Sequence, residues 1–232
     1  MEKQTISIII PTLNEEARIA SLIDYLQQLS QPEYLQEIIV CDGGSTDKTQ
    51  VIAEAAGVVL LHSPRCGRAT QMNYAADHAG GDILYFVHAD VFPPKECLIN
   101  IIDALAEGHT MGCFTYDFAS SSKLLKINAY FTQFDLMTSG GGDQTFFIPK
   151  AIFNELGQFD EKLPIMEDFD FVWRAKKHFP LHLVKNRAIV SARKYGRNSY
   201  LKVQVVNGLT LALFKRGYCP FKLARWYKRL LS

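Results

Sequence analysis

No acidic side chain follows Asp170 in this 232-residue chain. Residues 171–232 carry 15 Lys and Arg, while residues 1–170 carry 10 basic and all 24 acidic side chains. A net charge of +1 therefore hides one part at −14 and another at +15. Such a one-sided end sets up a positive field suited to a phosphate-bearing partner: a nucleoside diphosphate, an anionic membrane surface or a nucleic acid. Packing of the basic part against the acidic part is the alternative within the chain. Nothing resembling a recognition motif accompanies the charge, which speaks against nucleic acid.

Other absences narrow the class further. Cysteine is scarce and scattered (Cys41, Cys66, Cys97, Cys113, Cys219) with no CxxC pair. That disfavours a disulfide framework or a zinc cage and points to a reducing, cytoplasmic compartment. No apolar run approaches the roughly 20 residues that span a bilayer; the nearest, residues 203–214, contains Gln204 and Asn207. The start, MEKQTISIII, has too short an apolar run for a signal peptide. There is no GxGxxG, hence no dinucleotide fingerprint. What remains, at 48% hydrophobic and 21% charged residues, is an ordinary folded composition of a length suited to one domain.

The chain reads as strands alternating with helices. Apolar runs at 5–10, 37–41, 58–62 and 83–87 predict four strands. Helical spacing predicts helices from about 14, over 46–56, over 69–79 and after Pro93-Pro94. Repeated β-α-β units imply right-handed crossovers and a mostly parallel, Rossmann-like sheet covered on both faces. After Gly108 the pattern turns mixed, with strands at 111–118, 145–148 and 181–190 and helices near 122–135, 150–156 and 167–178. From 199 the tail is helical, broken around Gly217 and Pro220. The expected division is a nucleotide-binding half (about 1–110), an acceptor half (about 111–198) and a basic helical tail (about 199–232).

Ligands of open α/β sheets sit beyond the carboxyl ends of the strands, and unusual polar residues stand there. Strand one ends in PTLNEE, strand two in CDGGSTD, strand four in HAD. In DGGSTD, helix capping alone accounts for Ser45, Thr46 and Asp47. Asp42 has no capping role and could accept a hydrogen bond from a nucleobase. Asp90 could hold a divalent cation that bridges a diphosphate. His88 could add a nitrogen ligand, better suited to manganese than to magnesium, although a solvated turn would also explain both. Arg65 and Arg68 suit phosphate before a helix. In MEDFD the acids are favoured by the helix dipole, yet a carboxylate there could also deprotonate an acceptor hydroxyl.

Taken together, SIIIPTLNEE, IIVCDGGSTDKT, GRATQMNYAA, DILYFVHAD, GGGDQTFFIPKAIFNELGQFDE and MEDFDF resemble, in order, the family 2 glycosyltransferases of the GT-A fold. SARKY and LARWYKRLL look like a bacterial branch labelled arsenosugar-biosynthesis glycosyltransferase, a label that fixes no substrate. The resemblance implies that Pro11, Asn14 or Glu15 and Asp42 line the nucleoside pocket, with Arg68 near the base or diphosphate. Asp90 matches the second aspartate of a DxD metal motif whose first position is His88, with Mn2+ or Mg2+ as the implied cofactor. Asp168 would be the catalytic base of an inverting displacement. Asp143, Gln144 and Glu167 fall on the acceptor side, and Arg193 and Lys194 in a loop over the diphosphate.

The implied partners are a UDP-linked or other nucleotide-sugar donor and an acceptor hydroxyl. The basic tail, with Phe221, Trp226 and Tyr227 interleaved, could also touch anionic lipid peripherally. A non-catalytic nucleotide-binding or membrane-docking module of the same fold is the competing reading.

Overall fold

The computed structural model describes residues 3–136 and 138–231. Its first part is the expected β-α alternation. In order come β1 (Ile6–Thr12), α1 (Ile19–Leu26), β2 (Leu35–Asp42), α2 (Thr49–Ala55), β3 (Val59–His62), α3 (Arg68–His78) and β4 (Ile83–Phe86). A short β5 (Val91–Phe92) and α4 (Cys97–Ala106) close it. The remainder is β6 (Met111–Phe118), α5 (Lys123–Phe131), β7 (Phe146–Pro149), α6 (Lys150–Glu155), α7 (Glu167–Ala175) and β8 (Leu181–Val190). Three helices, α8 (Arg193–Arg197), α9 (Tyr200–Lys215) and α10 (Pro220–Leu231), follow.

All eight strands join one sheet in the order β3-β2-β1-β4-β7-β6-β8-β5. β1 to β4 are parallel, as expected. Beyond them β7 runs antiparallel to β4, and β6 lies antiparallel to β7 and parallel to β8. β1 shows why the sheet is covered on both sides. Ile6, Ile8 and Ile10 enter one buried cluster and Ile9 the other, so alternate residues along one strand are all buried.

Two element boundaries differ from the sequence reading. The first helix begins at Ile19, not near Asn14, because Asn14 adopts a left-handed conformation (φ 56°) that ends any helix there. Likewise α2 begins at Thr49, because the residues from Gly43 to Asp47 are engaged in a hydrogen-bonded loop. The two-residue β5, pairing Val91 and Phe92 with Val190 and Ile189, has no signal in so short a run. Tertiary pairing creates it, and it pins the segment after Asp90 to the end of β8.

Candidate active site

Parallel register brings Thr12 beside Asp42 and Ile9 beside Phe86, so the ends of β1, β2 and β4 meet at one edge of the sheet. There Asp42 is 1% exposed. Its Oδ2 accepts hydrogen bonds from Gly44 N (2.9 Å), Ser45 N (2.8 Å) and Gln50 Nε2 (2.7 Å), and its Oδ1 accepts from the Ser45 hydroxyl. Burial by itself would raise the Asp42 pKa, but the bonds from Ser45, Gln50 and Gly44 outweigh it and hold the carboxyl below its usual range. Asp42 thus has a structural role besides the one expected from the sequence, since it folds the glycine turn around itself.

Ser45 and Thr46 do not cap α2 either. The Ser45 hydroxyl accepts from Asn14 N (2.8 Å), and Thr46 N donates to Asn14 Oδ1 (2.8 Å). Only Asp47 meets a helix-start amide, Thr49 N, at 2.9 Å. Asn14 thus ties the loop after β1 to the loop after β2. Beneath them Gln71 donates from Nε2 to Thr12 O (2.7 Å) and Cys41 O (2.8 Å). A Cβ on Gly43 would lie 2.9 Å from the Gln71 side chain, so that glycine permits the approach. Replacing Gln71 by Ala is expected to lower unfolding free energy by about 2 kcal/mol in urea melts, since it strips buried carbonyls of a donor.

A second cluster forms around the start of α7. Met166, left-handed at φ 69°, turns the chain so that Glu167 and Asp168 point inward. Glu167 is 1% exposed and paired with Arg68; its Oε2 has no hydrogen-bond partner among the described residues. Asp168 accepts from Gly142 N at 2.6 Å on Oδ2 and from Phe169 N at 2.8 Å on Oδ1, with Arg68 Nη2 at 3.8 Å. The glycine run is needed here, because a Cβ on Gly141 would fall 2.7 Å from the Phe169 ring. Arg68 therefore faces the acids of α7. Gln144 is buried, accepting from Gly140 N (2.7 Å) and donating to Phe114 O (3.2 Å), and stands on a cavity wall with Asp143 and Asp168.

His88 is partly buried beside this cluster. Burial, then the neighbouring Arg68 charge, depress its pKa to about 4 despite Asp143 and Glu167 nearby, so the ring is neutral at pH 7. It lines neither of the two cavities that open beside these residues.

The larger cavity, about 570 Å³, is walled by Arg68, Asp168 and Phe169 on one side and by α5, α9 and Tyr227 on the others. The smaller, about 280 Å³, is lined by Asp90, Ser191, Arg193 and Arg197. Asp143, Lys194 and Tyr195 line both, so the two adjoin there. Arg193 Nη2 lies 3.6 Å from Asp90 and 3.9 Å from Glu15, linking the ends of β1 and β4. Pro11, Asn14, Glu15 and Asp42 line neither cavity and gather instead at the β1–β2 edge.

The tail helps to wall the larger cavity, which sequence reasoning missed. Lys194 Nζ donates to Tyr227 Oη (2.9 Å), which donates to Asn207 Oδ1 (3.0 Å). Burial would lower the Lys194 pKa, but Asp143 and Tyr227 more than offset it, and Lys194 stays a cation. Tyr227, read from sequence as lipid-facing, is turned inward. The reason is packing: Leu223 of α10 and Val203, Val206 and Thr210 of α9 are buried, which rolls Tyr227 onto the cavity. Alternation of aromatic and basic residues along α10 could not show which side the core would take.

Known proteins share this architecture. Residues 7–160 match the model of the family described as Glycosyl transferase family 2. Over 106 residues the chain is 37% identical to a glucosyl-3-phosphoglycerate synthase of Mycobacterium tuberculosis, covering 41% of this chain and 32% of that protein. The chain thus matches about a third of that relative's length. Among solved structures, the mannosyltransferase PcManGT of Pyrobaculum calidifontis, in complex with GDP-Man and Mn2+, superposes with a TM-score of 0.71 at 17% identity. That match covers 93% of this chain and 65% of PcManGT. TarS of S. aureus in complex with UDP superposes with a TM-score of 0.69 at 17% identity, covering 98% of this chain and 69% of TarS. The shared architecture is the GT-A fold, a mixed sheet with flanking helices.

Proposed function

The chain belongs to glycosyl transferase family 2, and from that premise we propose that it moves a sugar from a nucleoside-diphosphate donor, UDP-linked, to an acceptor hydroxyl with inversion. One observation carries the reading: a cavity bearing Asp90, Arg193 and Arg197 adjoins one bearing Asp168, with Asp143 and Lys194 lining both. The first suits a diphosphate and the second an acceptor. The nucleoside lies toward the β1–β2 edge, over Pro11, Asn14 and Glu15, on the turn that Asp42 shapes.

In this reading the acceptor oxygen attacks the anomeric carbon while Asp168 takes its proton. The carbon–phosphate-oxygen bond breaks, and its electron pair leaves with the nucleoside diphosphate. Each Asp168 oxygen has one backbone donor, which leaves lone pairs for the hydroxyl. Arg193, Lys194 and Arg197 oppose the charge that develops on the leaving group. Glu167, on the acceptor side, shares Arg68 with Asp168 and so fixes the cation beside the base.

Whether a divalent metal fits can be judged from the donor set. Among the described residues no three His, Cys, Asp or Glu side chains cluster as ligands, but Asp90 and Asp143 line the same small cavity. Two carboxylates suit Mn2+ or Mg2+ arriving with substrate phosphates, which supply the remaining ligands. Asp90 and Asp143 would hold it; His88, which lines neither cavity, is placed less directly than they are. When bound, the metal neutralises charge on the diphosphate.

Donor binding tests the proposal. UDP with Mn2+ at about 100 times its dissociation constant should raise stability by roughly 2.7 kcal/mol, read as an upward shift in thermal midpoint. EDTA or Asp90→Ala should remove most of that shift. GDP, CDP and TDP run in parallel identify the base, and no shift with any of them would sink the reading. A non-catalytic module of this fold would bind nucleotide without ever releasing UDP from a donor. A cytoplasmic site, with the exposed Lys222, Arg225, Lys228 and Arg229 of α10 touching anionic membrane, belongs to the same proposal. The acceptor is left open, because the branch label does not fix it.

A further inference from the structure

Helix α9 has three faces, and only one of them is polar. Val203, Val206 and Thr210 are buried in the fold. Gln204, Asn207, Gly208 and Leu211 face the larger cavity. The third face carries Leu201, Val205 and Leu209 at i, i+4 and i+8, which are 71%, 50% and 47% exposed. Between Lys202 and Lys215 the helix has no charged residue. Surface helices of soluble domains ordinarily turn charged or polar side chains outward.

On another wall of the same cavity, α5 repeats the pattern. Leu125 and Ala129 are buried, whereas Leu124, Ile127, Tyr130 and Phe131 are each half exposed or more. Tyr130 and Phe134 pack ring to ring at 5.5 Å on the surface. Phe131 and Leu136 are exposed and also line the cavity, so the apolar face is continuous with its mouth. Patches of this extent mark interaction surfaces.

The charge around them selects the partner. Lys123 and Lys126 on α5, Lys202 at one end of α9 and Lys222, Arg225, Lys228 and Arg229 on α10 are exposed, and none of the three helices contains an acid. The next acid after α5, Asp135, is paired with Lys176. A second copy of this chain would bring the same cations face to face, which opposes a self-complementary dimer. An anionic bilayer satisfies both requirements, taking apolar side chains at the acyl boundary and cations at the phosphates.

We propose that the α5–α9 face docks the protein on an anionic lipid bilayer, with the larger cavity opening at the membrane surface. Docking of this kind depends on the fold and its surface alone, independently of the transfer reaction.

The test is co-sedimentation of the full chain with vesicles of phosphatidylcholine and phosphatidylglycerol, compared with phosphatidylcholine alone. Binding to the mixed vesicles is expected, and Ile127→Asp with Leu209→Asp should weaken it at least roughly tenfold, because both side chains leave water on docking. The thermal midpoint and the UDP response should be unchanged, which separates this proposal from the donor-site reading. Leu124→Ser with Leu201→Ser, at the helix ends, gives a milder pair should the first disturb folding. Three results would overturn it: no sedimentation of the unaltered chain, salt-sensitive binding indifferent to both pairs, or a dimer that the substitutions dissociate.

Discussion

Asp168→Asn is expected to lower kcat by about 10²–10⁴-fold, the usual contribution of a general base, while donor affinity stays within about twofold, since the base matters chiefly in the transition state. The geometry adds a secondary effect. Gly142 N and Phe169 N each donate to one oxygen of Asp168. An amide can present only one oxygen, so one of the two bonds is lost, at roughly 1 kcal/mol of stability. Steady-state kinetics combined with UDP titration separates the two effects. Asp170→Asn is the control, because Asp170 pairs with Arg174 on the same helix and does not line the larger cavity. If Asp168→Asn turns over nearly as fast as the parent, another group is the base.

Arg68→Ala should produce the largest change in stability of any single substitution near the site. Glu167 is 1% exposed, and the guanidinium of Arg68 is the cation paired with it. Removing one member of such a pair strands a buried charge, an effect of several kcal/mol in closed interiors. Here the Arg68 side chain remains 39% exposed, so water relaxes the penalty and a loss of about 2–3 kcal/mol is expected. The double variant Arg68→Ala with Glu167→Gln should recover at least about 1 kcal/mol of it, because the second change removes the stranded charge. Denaturant melts of all four proteins close the cycle. Additive losses would mean that the pairing is incidental. The α7 start should also loosen around Asp168, so kcat should fall more than KM rises.

Much of the scaffold was legible because it depends on local pattern. Short, β-branched apolar runs such as ISIII and IIVCD, alternating with helical segments, fit buried parallel strands, and the structure places them there. DGGSTD announced a turn. Its detailed wiring was not legible: that Asp42 would be enclosed by Gly44, Ser45 and Gln50 depends on hydrogen bonds that spacing alone does not impose. Arg68 shows the same limit. Its partner Glu167 lies 99 residues away, and no local rule connects them. The inward turn of Tyr227 and the two-residue β5 were hidden for the same reason.

By itself, then, the sequence determined the β-α alternation, the polar residues at the strand ends and the segregation of charge into a basic C-terminal part, because these follow from periodicity and composition. Only the tertiary structure decided which of those polar residues turn inward to hold the loops and which line a cavity. It also decided that Tyr227 of the basic tail turns onto the larger cavity. Those outcomes rest on contacts between segments far apart in the chain, chosen by which faces find a core to bury against.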